Sequence, residues 1–200
     1  MHRRYFFWVA LLLVLLFSGA PFALAGMPTE KIKETTNEIL AIVTVPDRKE
    51  VPVNAEMKKR IRKAVDKRFD WEEMARRSLA RHWKKRTDLE KTQFVVLFGK
   101  LLERTYLDKV EGYSGEKVVY LGESIDDNYA VVNVKIITAK NEEIDVAYRL
   151  RQKGDDWLVY DISVAGVSLV NNYRVQFNSI IARSSYESLV KRLKEKIAPN

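Results

Sequence analysis

Apolar side chains recur at helical spacing in the first half of the chain and again at its end. Segment 29–43 places Ile32, Ile39 and Val43 on one face, and segment 54–69 repeats the pattern with lysines and arginines on its other side. Capping residues mark further helix starts at Asp70, Thr87, Ser168 and Ser184. The pattern therefore predicts four helices before residue 111 and two after residue 167.

The helix predicted over 88–110 carries a broad apolar stripe. Its apolar positions are Phe94, Val95, Val96, Leu97, Phe98, Leu101, Leu102 and Tyr106. A helix packed on the surface of a domain needs a narrower stripe. We therefore expect this helix either to lie deep in a core or to line a cavity.

From Gly112 onward the apolar period changes to two, which predicts strands. The predicted strands are 117–122, 129–139, 144–153 and 157–164. Short connections rich in Asp, Asn and Gly favour antiparallel hairpins between them. The inward side is predicted to carry Val132, Val134, Ile136, Ile144, Val146, Tyr148 and Leu150, while Glu143, Asp145, Arg149 and Arg151 face water. Helices before and after a four-stranded meander indicate an α+β fold, with helices against one face of a bent antiparallel sheet.

The N-terminus has the three parts of a secretory signal. Arg3 and Arg4 precede an apolar run of 13 residues, and Ala23–Ala25 supplies a small-residue cleavage site. The run is too short for a permanent membrane anchor, which is the alternative. We expect cleavage after Ala25, export to the periplasm, and a mature chain, 26–200, that forms one domain. Its helical parts are predicted at 29–111 and 167–197 and its sheet at 116–164.

Charge and composition narrow the possible functions. Removing residues 1–25 takes away two arginines and no acid, so the net charge falls from +8 to +6. Basic residues are concentrated in 58–68 and 76–86. They either bind an anionic lipid or an acidic protein surface, or they form solvated helix faces. Export argues against nucleic acid as the partner.

Catalytic and metal-binding motifs are missing from the sequence. The chain has no cysteine, and His82 is the only histidine outside the signal segment. It has no Walker A motif, no dinucleotide-binding glycine motif and no nucleophile elbow. We expect a protein that is not an enzyme and holds no metal or cofactor. Its apolar surplus either sequesters an acyl chain or simply fills a core, and the pattern alone does not separate the two.

Two stretches resemble the MlaC family of periplasmic phospholipid carriers, also known as toluene-tolerance auxiliary components of an ABC transporter. They are the segment 161–177, DISVAGVSLVNNYRVQF, followed by LVKRL at 189–193, and the earlier FDWEEMA at 69–75. The chain departs from the family at Ala80 and at Ser184-Ser185, where the family often has glycine.

The resemblance implies a nuclear-transport-factor-like or cystatin-like sheet packed with N-terminal and C-terminal helices around an apolar cavity. It implies a monomeric carrier that maintains outer-membrane lipid asymmetry by moving phospholipid between an outer-membrane MlaA-like lipoprotein complex and an inner-membrane ABC transporter with its MCE-domain subunit. The lipid-binding side chains it implies are Phe94, Phe98, Leu101, Val132, Val134, Val146, Tyr148, Val159, Val167, Val170, Tyr173 and Phe177.

Alternatives stay open at this point. The protein could be a non-catalytic adaptor with a filled core, or it could carry another apolar lipid such as a hopanoid. Tyr173, Arg174 and Gln176 could lie at the pocket mouth. Alternatively, Tyr173 and Gln176 tie their helix to the sheet and Arg174 pairs with a strand carboxylate.

Overall fold

The computed structural model describes residues 27–44, 54–111, 113 and 115–198. The predicted signal, 1–25, and the stretch 45–53, expected to be the least structured, lie outside these residues. The described helices are α1 (Pro28–Val43), α2 (Ala55–Arg68), α3 (Trp71–Leu79), α4 (Asp88–Glu111), α5 (Leu169–Arg183) and α6 (Tyr186–Ile197), with a 3-10 helix at Ala80–Lys85. The strands are β1 (Lys117–Asp126), β2 (Tyr129–Ile137), β3 (Glu143–Lys153), β4 (Asp156–Val164) and β5 (Val167–Ser168).

The strands form one antiparallel sheet in the order β1-β2-β3-β4-β5. Neighbouring strands pair at Val132 with Tyr148 and at Val134 with Val146, so these side chains share one face, which we call the inner face. Bulges at Tyr120/Gly122 and Arg149/Leu150 interrupt the register. The α+β class and the bent antiparallel sheet are confirmed.

Three local predictions are corrected. The sheet has a fifth strand, because the turn at Ala165 and Gly166, both with positive φ, brings Val167 back against Val164. The helix expected from Asp70 to Trp83 ends at Leu79 and continues as the 3-10 helix. The last helix is capped by Ser185, whose hydroxyl accepts from the Ser188 N–H at 3.1 Å. This cap lies one residue after the predicted Ser184.

The structure has two main cores, one among the helices and one on the sheet. The first packs α3, α4, α5 and α6 around the aromatic rings of Phe94, Phe98, Tyr173 and Phe177. We call it the helical core. The second, the sheet core, places Ile32 of α1 on inner-face residues that include Val132, Val134 and Leu150. A small third cluster joins Ile42 and Val43 of α1 to Ile61 of α2.

The outer face of the sheet is only partly exposed to solvent. Glu143 and Asp145 are exposed as expected. Arg149 instead donates to Ser163 Oγ at 2.5 Å, and Arg151 donates through Nε to Asp70 Oδ2 at 2.7 Å. The second contact ties β3 to the start of α3. Across the described part of the chain, no helix has the length and hydropathy needed to cross a membrane.

Candidate functional site

A cavity of about 760 Å³ lies between the inner face of the sheet and helices α1, α2 and α4. Its apolar and aromatic wall consists of Ile32, Ile39, Ile61, Val65, Phe69, Trp71, Leu102, Tyr106, Ile136, Ile144, Val146, Tyr148, Ile162, Val164, Val167 and Leu169. The polar wall residues are Thr35, Thr36, Lys58, Arg62, Arg68, Glu103 and Asn172. Most of the surface therefore offers hydrocarbon contacts to an occupant.

Solvent exposure separates the wall into a floor and a mouth. Ile32, Ile61 and Val146 of the floor are 3%, 3% and 5% exposed. Val164 and Val167 are 47% and 63% exposed, although they also line the cavity. We call the exposed wall residues Tyr106, Val164, Val167 and Asn172 the mouth.

Helix α4 serves both the helical core and the cavity. Phe94, Phe98 and Leu101 point into the helical core and are at most 1% exposed. Leu102 belongs to that core and also lines the cavity. Gly99 lines the cavity as well. A Cβ at position 99 would lie 3.7 Å from Arg62 Nη2, an ordinary van der Waals distance, so the guanidinium packs close to the α4 backbone here. The two explanations for the broad stripe therefore both hold, on different sides of one helix.

A buried arginine closes the floor between α1, α2 and β4. Arg68 is 5% exposed and donates to Thr35 Oγ1 at 3.1 Å, to Asp156 Oδ1 at 2.8 Å and to the Trp157 carbonyl at 2.7 Å. Burial raises the pKa of Asp156, but hydrogen bonds from Arg68 and the Trp157 N–H outweigh it, so the pKa is lowered overall. The charge inside the floor is thus paired with Asp156 and hydrogen-bonded through Nε and Nη1, as buried charges need to be.

A second arginine of the wall joins α2 to α4. Arg62 donates through Nε to Asp66 at 3.1 Å and through Nη1 to Glu103 on α4. Asp66 also accepts from the indole N–H of Trp71 at 2.8 Å. The guanidinium is therefore oriented by two carboxylates and forms a bridge from α2 to α4.

Two tyrosines add polar but uncharged groups to the wall. Burial raises the pKa of Tyr148 to about 12. The pKa of Tyr106 is also raised, first by burial and then by its neighbour Tyr173. Both phenols are neutral at neutral pH, which suits a cavity for hydrocarbon.

The structure brings only some of the predicted lipid-binding residues together. Val146, Tyr148 and Val167 line the cavity. The others lie in the helical core, namely Phe94, Phe98, Leu101, Val170, Tyr173 and Phe177, or in the sheet core, namely Val132, Val134 and Val159. Their assignment to lipid binding stays a prediction.

Sequence reasoning missed much of the wall contributed by helices. Ile39, Val65 and Leu102 line the cavity, although their periodicity identified only a buried helical face. On the sheet, Ile136 and Ile144 had been recognised as inward and do reach the cavity. The sequence therefore predicts which side chains point inward. It does not predict where the packed core ends and the cavity begins.

The polar residues of α5 do not make the contacts expected of them. Arg174 donates to Asn171 Oδ1 at 2.5 Å rather than to a strand carboxylate. Gln176 donates to Asn172 on its own helix at 3.2 Å. Tyr173 lies in the helical core, 5.3 Å from Phe98 between ring centres.

His82 lies away from the cavity wall. Its Nε2 is 3.0 Å from Asn178 Oδ1, a contact that joins the 3-10 helix to α5. Among the described side chains, no group of His, Cys, Asp or Glu could hold a metal ion. His82 therefore has a packing contact in this structure.

The chain matches a sequence profile described as MlaC protein over residues 33–195. One relative is the intermembrane phospholipid transport system binding protein MlaC of Haemophilus influenzae, 25% identical over 122 residues. That alignment covers 58% of this chain and 57% of the relative, so the match spans little more than half of the relative's length.

A solved structure has the same architecture. It is a phospholipid-binding protein from Ralstonia solanacearum, determined in complex with a phospholipid. The superposition has a TM-score of 0.75 at 25% identity and covers 84% of this chain and 95% of the other. The similarity thus extends over the sheet and most of the helices together.

Proposed function

The chain belongs to the MlaC family, and on that premise we propose that it is a phospholipid carrier whose cargo places its acyl tails in the cavity. The observation that carries the proposal is the apolar floor of a cavity of about 760 Å³. This volume lies within the usual range for ligand pockets, about 300–1,000 Å³. The phospholipid seen with the Ralstonia protein supports the same ligand class.

Hydrocarbon burial alone accounts for useful affinity. Each methylene transferred from water contributes about 0.8 kcal/mol. About ten buried methylenes would contribute about 8 kcal/mol toward binding, before the cost of association is subtracted. A carrier needs only moderate affinity, because it must also release its cargo.

The open cavity argues against an adaptor with a filled core. Arg68 and Arg62, the guanidinium groups of the wall, are engaged in ion pairs that join helices and strands. A hopanoid would need the same apolar wall, so it remains a second cargo to be tested.

The wider pathway is part of the proposal. We infer that cleavage after Ala25 releases the protein into the periplasm. There it would exchange phospholipid with an MCE-domain subunit of an inner-membrane ABC transporter and with an MlaA-like complex in the outer membrane. The name of the Haemophilus relative, which places that protein in an intermembrane phospholipid transport system, supports this route.

Extraction and exchange test the proposal. The mature protein is purified without detergent, extracted with organic solvent, and the extract is analysed by mass spectrometry. In parallel, the protein is incubated with vesicles containing labelled phospholipid and re-isolated. We expect about one or two phospholipids per chain and uptake of label. A hopanoid in the extract would identify a different cargo. An extract without lipid, together with no uptake of labelled phospholipid, would refute the carrier function.

A further inference from the structure

One side chain of the cavity wall presents a hydroxyl group that has no hydrogen-bond partner. Tyr148 lies on the inner face of β3 and lines the cavity together with Val146 on the same strand and Ile162 on β4. Its Oη makes no hydrogen bond with any other residue that the structure describes. Because burial raises the pKa of Tyr148 to about 12, the phenol keeps its proton and can donate. The wall therefore contains a free hydrogen-bond donor among apolar side chains.

The buried tyrosines of the helical core, by contrast, have partners for their hydroxyl groups. Tyr186 donates to the Glu90 carbonyl at 3.2 Å, and Tyr173 is hydrogen-bonded to Tyr106. A buried hydroxyl needs such a partner, because it has lost its hydration. Water can hydrate the Tyr148 hydroxyl in an empty cavity, but an acyl chain that displaces the water cannot. The polar atom that replaces this water must then come from the cargo.

The strand register places Tyr148 just behind the mouth. Val164 of the mouth pairs with Val146. Ile162, two residues earlier on β4, pairs with Tyr148. Two residues of an extended strand span about 7 Å, so Tyr148 lies about this far from the exposed end of β4. In a diacyl phospholipid the ester carbonyls join the tails to the glycerol, directly below the phosphate. A lipid with its tails in the cavity and its phosphate at the mouth therefore brings an ester carbonyl to the level of Tyr148.

We propose that the Tyr148 hydroxyl donates a hydrogen bond to an ester carbonyl of the bound lipid, and that the cavity thereby favours ester-linked acyl chains over ether-linked alkyl chains. This inference rests on the proposed function, because it assumes a phospholipid with its tails in the cavity. The two groups are complementary, since a carbonyl oxygen only accepts and a protonated phenol donates. An ether-linked tail has a methylene in place of the carbonyl, and its ether oxygen is the weaker acceptor.

The test is a competition between two lipids that differ only in this linkage. Vesicles contain equal amounts of dioleoyl phosphatidylglycerol and of its diether analogue, in which each carbonyl is replaced by a methylene. The mature protein is incubated with the vesicles, re-isolated and extracted, and mass spectrometry gives the ratio of bound ester lipid to bound ether lipid. We expect this ratio to fall about three- to tenfold in Tyr148→Phe, which is the contribution of one hydrogen bond.

A matched tyrosine on the neighbouring strand serves as the control. Tyr160 of β4 is not part of the wall, and its ring contacts Tyr129 and the Arg77 guanidinium. Tyr160→Phe should therefore keep the wild-type ratio. The Tm of the lipid-free protein should not fall in Tyr148→Phe, because no hydrogen bond within the protein is lost.

The outcomes separate this inference from the proposed function. If the wild type takes up neither lipid, the carrier itself is refuted. If both lipids are taken up and the ratio is the same in the wild type and in Tyr148→Phe, the carbonyl contact is wrong while the carrier stands. An equal fall of the ratio in Tyr160→Phe would also overturn the contact.

A second measurement needs no variant. Phosphatidylglycerol with ¹³C-labelled ester carbonyls is loaded onto the wild type, and its carbonyl stretch is recorded by infrared spectroscopy. A hydrogen bond lowers the wavenumber of this band relative to the same lipid in hexane. We expect at least one of the two carbonyls to show the lower value. Two carbonyls that absorb as they do in hexane would overturn the proposal.

Discussion

Ala80 holds a backbone conformation that L-amino acids rarely adopt. It follows the last residue of α3 with φ of +47° and ψ of −120°. Such strain costs about 1–3 kcal/mol, and glycine avoids it at a smaller cost in unfolded-state entropy. We expect Ala80→Gly to raise the free energy of unfolding by about 1 kcal/mol, or the Tm by about 2–4 °C, measured by thermal denaturation.

The control for this prediction is Ala182→Gly. Ala182 is exposed and lies in regular helix α5, where glycine should lower stability by up to about 1 kcal/mol. Equal destabilisation by both substitutions would show that position 80 is not strained.

Glu73 links stability to pH at the start of α3. Its side chain is 4% exposed and accepts from Arg76 at 2.6 Å and from Arg77 at 2.6 Å. Burial raises the pKa of Glu73, but the hydrogen bonds and charges of the two arginines outweigh it, so the pKa is lowered overall. A lowered carboxylate pKa contributes stability above the unfolded-state value, about 4.3, and loses it as pH falls through the folded-state value.

We therefore expect Glu73→Gln to cost about 2 kcal/mol at neutral pH and to flatten the loss of Tm below about pH 4. Urea denaturation at neutral pH measures the first effect, and thermal denaturation at neutral and acidic pH measures the second. Glu72→Gln, on the exposed neighbour, should change neither. If the Tm of Glu73→Gln fell as steeply with decreasing pH as that of the wild type, this role of Glu73 would be contradicted.

Residue-scale features were predictable where they depend on local chemistry. The cap at Ser168 was expected, and its hydroxyl accepts from the Asn171 N–H at 3.0 Å. At Ala80 the chain departs from the glycine that is frequent in the family, and the positive φ explains why glycine suits this position. At Ser184 and Ser185 φ is −139° and −161°, so neither serine lies in the left-handed region that favours glycine.

At the scale of elements, strands β2 and β3 offer a matched test of the cavity. The sequence predicts that Val132 and Val146 both face inward. In the structure Val146 lines the cavity, whereas Val132 is completely buried in the sheet core and is absent from the wall. The same substitution should therefore have different consequences on the two strands.

We expect Val146→Trp to extend into the cavity and to reduce bound phospholipid severalfold while the protein still folds. Val132→Trp has no such space and should destabilise by about 1–3 kcal/mol or more through overpacking. Native mass spectrometry gives the lipid occupancy, and circular dichroism gives the stability. Similar lipid loss in both variants, without destabilisation of Val132→Trp, would place the cavity elsewhere.

This pair also explains why the site was harder to predict than the fold. Alternation along β2 and β3 determines which side chains face inward, and the observed register agrees with it. The alternation of apolar and polar residues is the same whether an inward residue contacts another side chain or borders the cavity. The difference arises from α1, α2 and α4, whose packing depends on contacts far apart in the chain.

At the scale of the whole molecule, Arg68 joins the N-terminal helices to the sheet. It connects Thr35 on α1 with Asp156 and Trp157 on β4. We expect Arg68→Met to lower the free energy of unfolding by about 3 kcal/mol, because the buried Thr35 hydroxyl and Trp157 carbonyl lose their donor and Asp156 loses its cation. Arg60→Met, at an exposed position of α2, is the control. Equal stability of the two variants in urea would show that Arg68 is dispensable.

The central claim is that acyl tails occupy the space between the sheet and helices α1, α2 and α4. A phospholipid with a photoreactive diazirine at the end of one acyl chain is loaded onto the mature protein, crosslinked with light, and mapped by peptide mass spectrometry. The account predicts label on wall residues such as Ile39, Leu102 and Ile144. Label confined to Phe94, Phe98 and Phe177 of the helical core, or no label in the folded protein, would contradict it.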